Sequence, residues 1–205
     1  VSELPELIER CKAGDDYAFR EVFRRHRSDV LRLVQRMTGR AADLEDTVQE
    51  VFLQVFRSIK DFRGQSRFST WLYRVTVNVV LMQRRAARSR PIFNETADET
   101  LASDHRELPD DQVARGRRVA AFYRLLDRLS DKKRAVFVLH ELEGLSPSEI
   151  AKVVGAPVLT VRTRLFYARR ELLALLAEEP ALHLVVRELT NADSVPSPVP
   201  EREST

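Results

Sequence analysis

The chain has 205 residues, with 34 Lys and Arg against 31 Asp and Glu, and 43% of its residues are hydrophobic, enough to build a core. A single cysteine, Cys11, excludes a disulfide framework and a cysteine-rich zinc site, and it fits a reducing compartment. No apolar run approaches the roughly 18–20 residues of a membrane span. The segment Val1 to Glu9 does not read as a signal peptide, so a cytoplasmic protein without membrane insertion is expected.

The net charge of +3 hides a segregation along the chain. From Phe62 to Arg90 there are seven arginines and no acid; from Asn94 to Asp111 there are seven acids opposed only by Arg106. Local charge is therefore the better guide to partners. Glycine is scarce and strand-like alternation is rare, so the fold class expected is all-α. Four parts follow: a helical unit over 1–90, an acidic linker over 91–112, a second helical unit over 113–178, and a Pro-rich extension over 179–205. Within that extension Leu182, Leu184, Val185, Val186 and Leu189 have the spacing of one more short helix.

Asp43 to Ile59 reads as an amphipathic helix. At 100° per residue, Leu44, Val48, Val51, Phe52, Val55, Phe56 and Ile59 share one arc. Asp46, Gln49, Glu50, Gln54 and Arg57 lie opposite, with Leu53 stranded among them. The plain reading is a solvated helix face. The sharper one is an acidic docking surface with Leu53 as an apolar anchor for a basic partner.

Phe62 to Phe68 reads as a loop bracketed by aromatics, with Ser69 or Thr70 capping a helix that starts near Trp71. The β-branched run Val75 to Val80 argues for a strand. A helical wheel argues against it, because it aligns Arg74, Asn78, Arg85 and Arg88 on one stripe. Arginines interleaved with Phe62, Phe68, Trp71 and Tyr73 suit a single nucleic-acid strand: cations for phosphates, flat rings for unstacked bases. The alternative is a core tryptophan beneath a solvated basic face.

Two further helices are expected at Val119 to Leu129 and Asp131 to Glu143. Ser130 is expected to cap the second, and Ala135, Val136, Leu139 and Leu142 to form its buried stripe. Ser146-Pro147-Ser148-Glu149 is a capping box with proline at the first helical position, and Gly155 ends that helix. Pro157 opens another, whose buried stripe is Val158, Val161, Leu165, Ala168, Leu172 and Leu175. Arg162, Thr163, Phe166 and Arg170 cluster elsewhere on it, beside Leu159. This is the pattern of a helix-turn-helix, whose second helix enters the major groove, where arginine reaches guanine edges or phosphates.

Catalytic and cofactor signals are absent. His26, His105, His140 and His183 lie in separate segments without ligand spacing, and there is no phosphate-binding glycine loop or nucleophile elbow. Neither a metal, a cofactor nor an enzymatic activity is expected.

The order of these parts resembles the bacterial RNA polymerase sigma factors. Asp43-Leu44-Glu45-Asp46-Thr47-Val48-Gln49-Glu50-Val51-Phe52 is similar to the signature of their second conserved region. Phe62-Arg63-Gly64 and Ser69-Thr70-Trp71-Leu72-Tyr73-Arg74-Val75 through Asn78 resemble the adjoining promoter-melting segment. Leu142-Glu143-Gly144-Leu145-Ser146, Glu149-Ile150-Ala151 and Thr160-Val161-Arg162-Thr163-Arg164 resemble the fourth region. Two regions with only a short linker between them are the layout of the extracytoplasmic-function (ECF) subfamily.

The resemblance implies a factor that gives core RNA polymerase its promoter specificity and assists −10 melting. It implies that Asp46, Gln49, Glu50 and Leu53 dock on the coiled coil of the β′ subunit. It assigns the non-template strand of the −10 element to Phe62, Arg63, Phe68, Tyr73, Arg74, Asn78 and Arg85. It assigns the −35 element to Thr160, Arg162, Thr163, Phe166, Tyr167 and Arg170, with Leu159 and Tyr167 departing from the family's usual residues. The acidic linker would thread toward the polymerase active-site channel, and an anti-sigma factor is an implied partner. The alternative is a stand-alone helix-turn-helix regulator that binds its operator without polymerase.

Overall fold

The computed structural model describes residues 3–39, 44–89 and 110–179, and every regular element among them is helical. The acidic run from Asn94 falls mostly outside the described residues, as does the expected short helix near Leu182. Helices α1 (Leu4–Lys12) and α2 (Asp16–Thr38) are joined by a short turn. There the Asp15 carboxylate accepts from the backbone N–H of Tyr17 at 2.8 Å and Ala18 at 3.1 Å. Such a cap satisfies donors that the first turn leaves unpaired and contributes about 1 kcal/mol. Cys11 is buried between these helices and the core, and burial pushes its thiol pKa up.

Helix α3 (Leu44–Ser58) continues into a 3-10 turn, Ile59–Asp61, and a loop leads to α4 (Phe68–Ser89). Helices α2, α3 and α4 pack on one another around Leu33, Met37, Val51, Val55, Leu72 and Val80, all buried. The β-branched run is helical, as the polar stripe requires, because Val75, Val77, Val79 and Val80 all bury their side chains. Helix propensity differs by less than about 1 kcal/mol per residue, and burying one valine contributes about 1.5–3 kcal/mol. Burial wins.

Three local readings fail. Helix α4 starts at Phe68, so Ser69 and Thr70 lie in its first turn and do not cap it. Phe68 is drawn in because its ring is buried against Phe62 and Trp71. Trp71 itself is half-buried at the edge of that cluster, not enclosed in the core. Phe56, placed in the buried arc of α3, is 51% exposed.

The second unit begins with α5 (Asp110–Arg128), which starts inside the expected linker. Helix α6 (Asp131–Phe137) widens into a π-helical turn, Val138–Leu142, followed by α7 (Pro147–Val154) and α8 (Val158–Glu178). Ser130 occupies the N-cap position of α6, but its side chain makes no capping bond. The Ser146–Glu149 capping box is present in both directions, and Gly155 ends α7 with φ +61°. Leu142 and Val158 are half-buried at the rim of the stripes expected to enclose them.

The two units pack on each other. Helix α4 lies along α7, and the end of α2 meets the π-helical turn. Gly39 closes α2 in the left-handed region at φ +68°, and a Cβ there would sit 2.8 Å from the Tyr123 ring. Only glycine meets both demands. Polar contacts line the same junction. The Glu143 carboxylate, with a side chain only 2% exposed, accepts from Arg36 Nη1 at 2.8 Å and the Tyr73 hydroxyl at 3.2 Å. Arg84 donates to Asp131 and Asp127, each at 2.9 Å, and Arg88 donates to Asp131 at 3.0 Å. Asp127 also pairs with the fully buried Arg134.

Candidate nucleic-acid interfaces and docking face

Helix α3 presents the first candidate surface. Its opening turn holds Glu45 and Asp46, where the helix dipole favours acids. Asp46 and Gln49 are exposed and Glu50 is half-buried, 3.7 Å from Arg57. Leu53 stands out at 43% exposure beside Phe56. Between α2 and α3 the surface opens an apolar groove of about 330 Å³ lined by Phe19, Phe23, Gln49, Phe52, Leu53 and Phe56. Phe19 meets Phe56 edge-on at 5.0 Å, and Phe23 meets Phe52 at 4.5 Å. Leu53 is thus the exposed lip of an aromatic groove, flanked by acids along the same helix. The sequence reading missed Phe19 and Phe23; their i, i+4 spacing on α2 was the available signal.

The second candidate is a cleft of about 540 Å³ between the loop after α3 and the outer face of α4. Arg63, Trp71, Arg74, Asn78 and Met82 line it, with Gln54, Ser58, Asp61, Phe62 and Gln65. Gly64 turns the loop at φ +70°. Phe62 and Phe68 are only 8% and 5% exposed. Together with Trp71 they form a cluster with ring centroids 5.4–5.6 Å apart, in which Phe62 and Trp71 line the cleft and Phe68 packs against them. His26 packs on Phe68 from behind at 5.2 Å, and burial lowers its pKa. Lys12 lies 5.7 Å over the Phe62 ring, a cation–π contact from α1.

Not every residue assigned to the −10 strand meets there. Phe62, Arg63, Arg74 and Asn78 line the cleft; Phe68, Tyr73 and Arg85 do not. Tyr73 points to the opposite side of α4, half-buried against Glu143; its pKa is raised, first by desolvation and then by Glu143. Arg88, expected on the stripe of Arg74 and Asn78, is tied to Asp131 instead. Among the described residues, Arg63, Arg74 and Arg85 have no acidic partner and Arg84 and Arg88 are paired. Burial opposes the charge on Arg84, but Asp131 and Asp127 outweigh it and raise its pKa.

The third candidate is α8. Val161, Leu165, Ala168, Leu172 and Leu175 hold it to the second unit. Its outward side carries Leu159 at 75% exposure, Phe166 at 60% and Tyr167 at 49%. Phe166 and Tyr167 meet edge-on at 5.4 Å. Arg162 and Arg170 are exposed and have no acidic partner among the described residues. Arg169 is held by Glu141 at 2.6 Å, so it faces the scaffold. Thr160 is half-buried, and the Thr163 hydroxyl donates to the Leu159 carbonyl at 3.0 Å, leaving its methyl group and an oxygen lone pair outward. The helix is therefore a ridge of unpaired cations and uncovered rings, the chemistry a major groove accepts.

Among the described residues no group of three or more His, Cys, Asp or Glu is placed to hold a metal ion, and no helix is long and apolar enough to cross a membrane.

Residues 22–90 match the family model for sigma-70 region 2, and residues 120–172 match that for sigma-70 region 4. The chain is 34% identical to the RNA polymerase sigma-H factor of Pseudomonas aeruginosa over 190 residues, covering 89% of this chain and 95% of that protein. It is 35% identical to the ECF RNA polymerase sigma-E factor of Haemophilus influenzae over 170 residues, covering 80% and 89%. Among solved structures, CnrH in complex with the cytosolic domain of CnrY superimposes with a TM-score of 0.60. That match has 26% identity and covers 84% of this chain and 96% of CnrH.

Proposed function

The chain belongs to the ECF branch of the sigma-70 family of RNA polymerase sigma factors, and from that premise we propose how its surfaces divide the work of promoter recognition. A sigma factor directs core polymerase to a promoter and takes part in opening the −10 element. The reading here is that the cleft of Arg63, Trp71, Arg74 and Asn78 holds the separated −10 strand. Arg63 and Arg74 would meet phosphates, while the cleft encloses an unstacked base against Trp71. The exposed face of α8 would read the −35 duplex through Arg162, Thr163, Phe166, Tyr167 and Arg170. Thr160 and the inward Thr163 bond would set the pitch of that face. Phe62 and Phe68 would act by shaping the cleft, and Tyr73 and Arg85 would serve the flanking backbone. The α3 face of Asp46, Gln49, Glu50 and Leu53 would dock on a basic coiled coil of the polymerase, with Leu53 and the aromatic groove as its apolar centre.

The protein would contribute no catalysis of its own, would act in the cytoplasm, and would be restrained by an anti-sigma factor. CnrH, the structural relative, is bound to the cytosolic domain of CnrY. The observation that carries the reading is the coexistence of an acidic, apolar-tipped face with two separate, unpaired basic surfaces. Leu53→Asp tests it. Loss of an interface anchor costs more than about 1 kcal/mol, so co-elution with core polymerase should fall several-fold while melting of the free protein is unchanged. Undiminished co-elution places the docking face elsewhere.

A further inference from the structure

The proposed division of labour leaves unused the most exposed large apolar side chain among the described residues. Leu159, in the first turn of α8, is 75% exposed, more than Tyr17 at 67% or Phe166 at 60%. A single exposed leucine is ordinary on a protein surface. Its position is not. Arg162, Thr163, Phe166 and Arg170 follow it at intervals of three, four, seven and eleven residues, which gathers all five on one side of the helix. Leu159 therefore leads, at the N-terminal end, the face that would read the −35 duplex. It departs from the family's usual residue, so the resemblance supplies no role for it.

The surroundings indicate what covers this leucine. The first turn of α8 holds no acid, and Arg162 and Arg170 are exposed without an acidic partner among the described residues. An apolar tip framed by unpaired cations suits a polyanion that carries apolar points. A second copy of the same face would instead bring like charges together. In a helix-turn-helix the N-terminal residues of the second helix touch base edges in the major groove. Those edges present hydrogen-bond donors and acceptors, and one apolar group, the C5 methyl of thymine. Leucine against a donor or acceptor would displace water and return no hydrogen bond, which is unfavourable. Against the methyl, it removes apolar surface from water on both partners. The Thr163 hydroxyl is turned back on the Leu159 carbonyl at 3.0 Å, so the Thr163 methyl is the competing candidate for the same contact.

We propose that Leu159 is a specificity-determining residue of the −35 surface, recognising the C5 methyl of a thymine in the major groove and discriminating against cytosine at that base pair. The inference rests on α8 reading the −35 duplex. It adds to that reading a base type and a contact made without a hydrogen bond.

The test removes the methyl from the DNA and leaves the protein intact. Holoenzyme assembled from core polymerase and the full chain is bound to a promoter mapped for this protein. Each thymine of the −35 element, on either strand, is replaced in turn by deoxyuridine, which lacks the methyl and keeps every hydrogen-bonding group. Wild type should lose affinity about fourfold at one position or more, the factor for one methyl-sized group returned to water. Leu159→Ala should bind the unmodified promoter about fourfold more weakly or worse, with no further loss on deoxyuridine at one of those positions. With cytosine placed there, 5-methylcytosine should restore about fourfold to wild type and nothing to Leu159→Ala. Alanine is a strong helix former and the site is exposed, so the variant should melt like wild type.

A deoxyuridine effect that persists in Leu159→Ala overturns the proposal. If the effect then vanishes in Thr163→Ser, which deletes a methyl and keeps the hydroxyl, the contact belongs to Thr163. A scan without any methyl-sensitive position also overturns it, even where Arg162→Ala still abolishes −35 dependence; α8 then reads the element without Leu159 meeting a methyl. If Arg162→Ala leaves −35 dependence intact and no thymine position responds, the reading of α8 fails and the proposal falls with it.

Discussion

The two candidate DNA-binding surfaces are built on opposite shapes. In the first unit, Arg63, Arg74 and Asn78 surround a cleft walled by Phe62 and the half-buried Trp71, with Phe68 packed against both. In the second, Arg162, Phe166 and Arg170 stand on a ridge with nothing opposite them among the described residues. A base that has left its stack loses its neighbours on both faces and needs a wall to replace them. A base pair inside a duplex keeps its neighbours, and only something protruding reaches its edge. The contrast teaches that arginine content alone does not distinguish the two sites. What lies behind the arginines does.

This comparison can be broken at either end, and the largest effect is expected in the cleft. Arg74→Ala together with Asn78→Ala removes two contacts worth about 1–3 kcal/mol each. Open-complex formation, followed by permanganate reactivity of the melted strand, should fall roughly a hundredfold, with co-elution on core polymerase retained. Parallel loss of both would show that the cleft is not where the strand sits. Arg162→Ala on the ridge should cost about 1–3 kcal/mol. The loss should appear as a drop of about fivefold or more in transcription from a promoter with an intact −35 element. A template whose −35 element is scrambled should show no further drop, and an equal drop there would move the contact off α8.

A smaller effect sharpens the ridge. If Arg170 meets a phosphate and no base, Arg170→Ala should weaken duplex binding evenly across sequences and reduce the slope of log affinity against log salt by about 1. A change in sequence preference would make it a base reader.

The smallest effect concerns the wall itself. His26 sits behind Phe68 with its Nε2 buried and without a hydrogen-bond partner among the described residues. Desolvation lowers its pKa below the ordinary 6.5; the neighbouring Asp29 opposes this and Arg25 adds to it. The unfolded chain therefore takes up the proton first as pH falls. His26 contributes stability above pH 6.5 that is lost toward its lower folded pKa. Thermal melting should decline between pH 7 and 5.5, and His26→Gln should flatten that decline; an unchanged slope would assign it to other groups.

Much of this was legible from the residues alone. The helix-turn-helix announced itself through local chemistry: the Ser146–Glu149 box, Gly155 at positive φ, and a stripe from Val161 to Leu175. The helicity of Val75 to Val80 followed from the polar stripe of Arg74 and Asn78 despite the β-branched composition. The exposed Leu53 also followed from its place on the wheel. What stayed hidden depends on contacts distant in sequence. Glu143 lies 107 residues from Arg36 and 70 from Tyr73, and no periodicity within one helix connects them. The same is true of Arg88, which a helical wheel groups with Arg74 but which Asp131 pulls to the other side. Phe62 and Phe68 looked like stacking faces because alternation with arginine carries no information on burial. The groove of Phe19 and Phe23 escaped because it forms only where α2 meets α3.

The measurement closest to the heart of this account is run-off transcription with purified core polymerase, with and without the full chain, on a template carrying a start site mapped after its overexpression. The account predicts a discrete transcript only when the chain and the core enzyme are both present, with no stable binding of the same promoter by the chain alone. Tight, polymerase-independent binding to a palindromic duplex, with no transcript added by the chain, would contradict it.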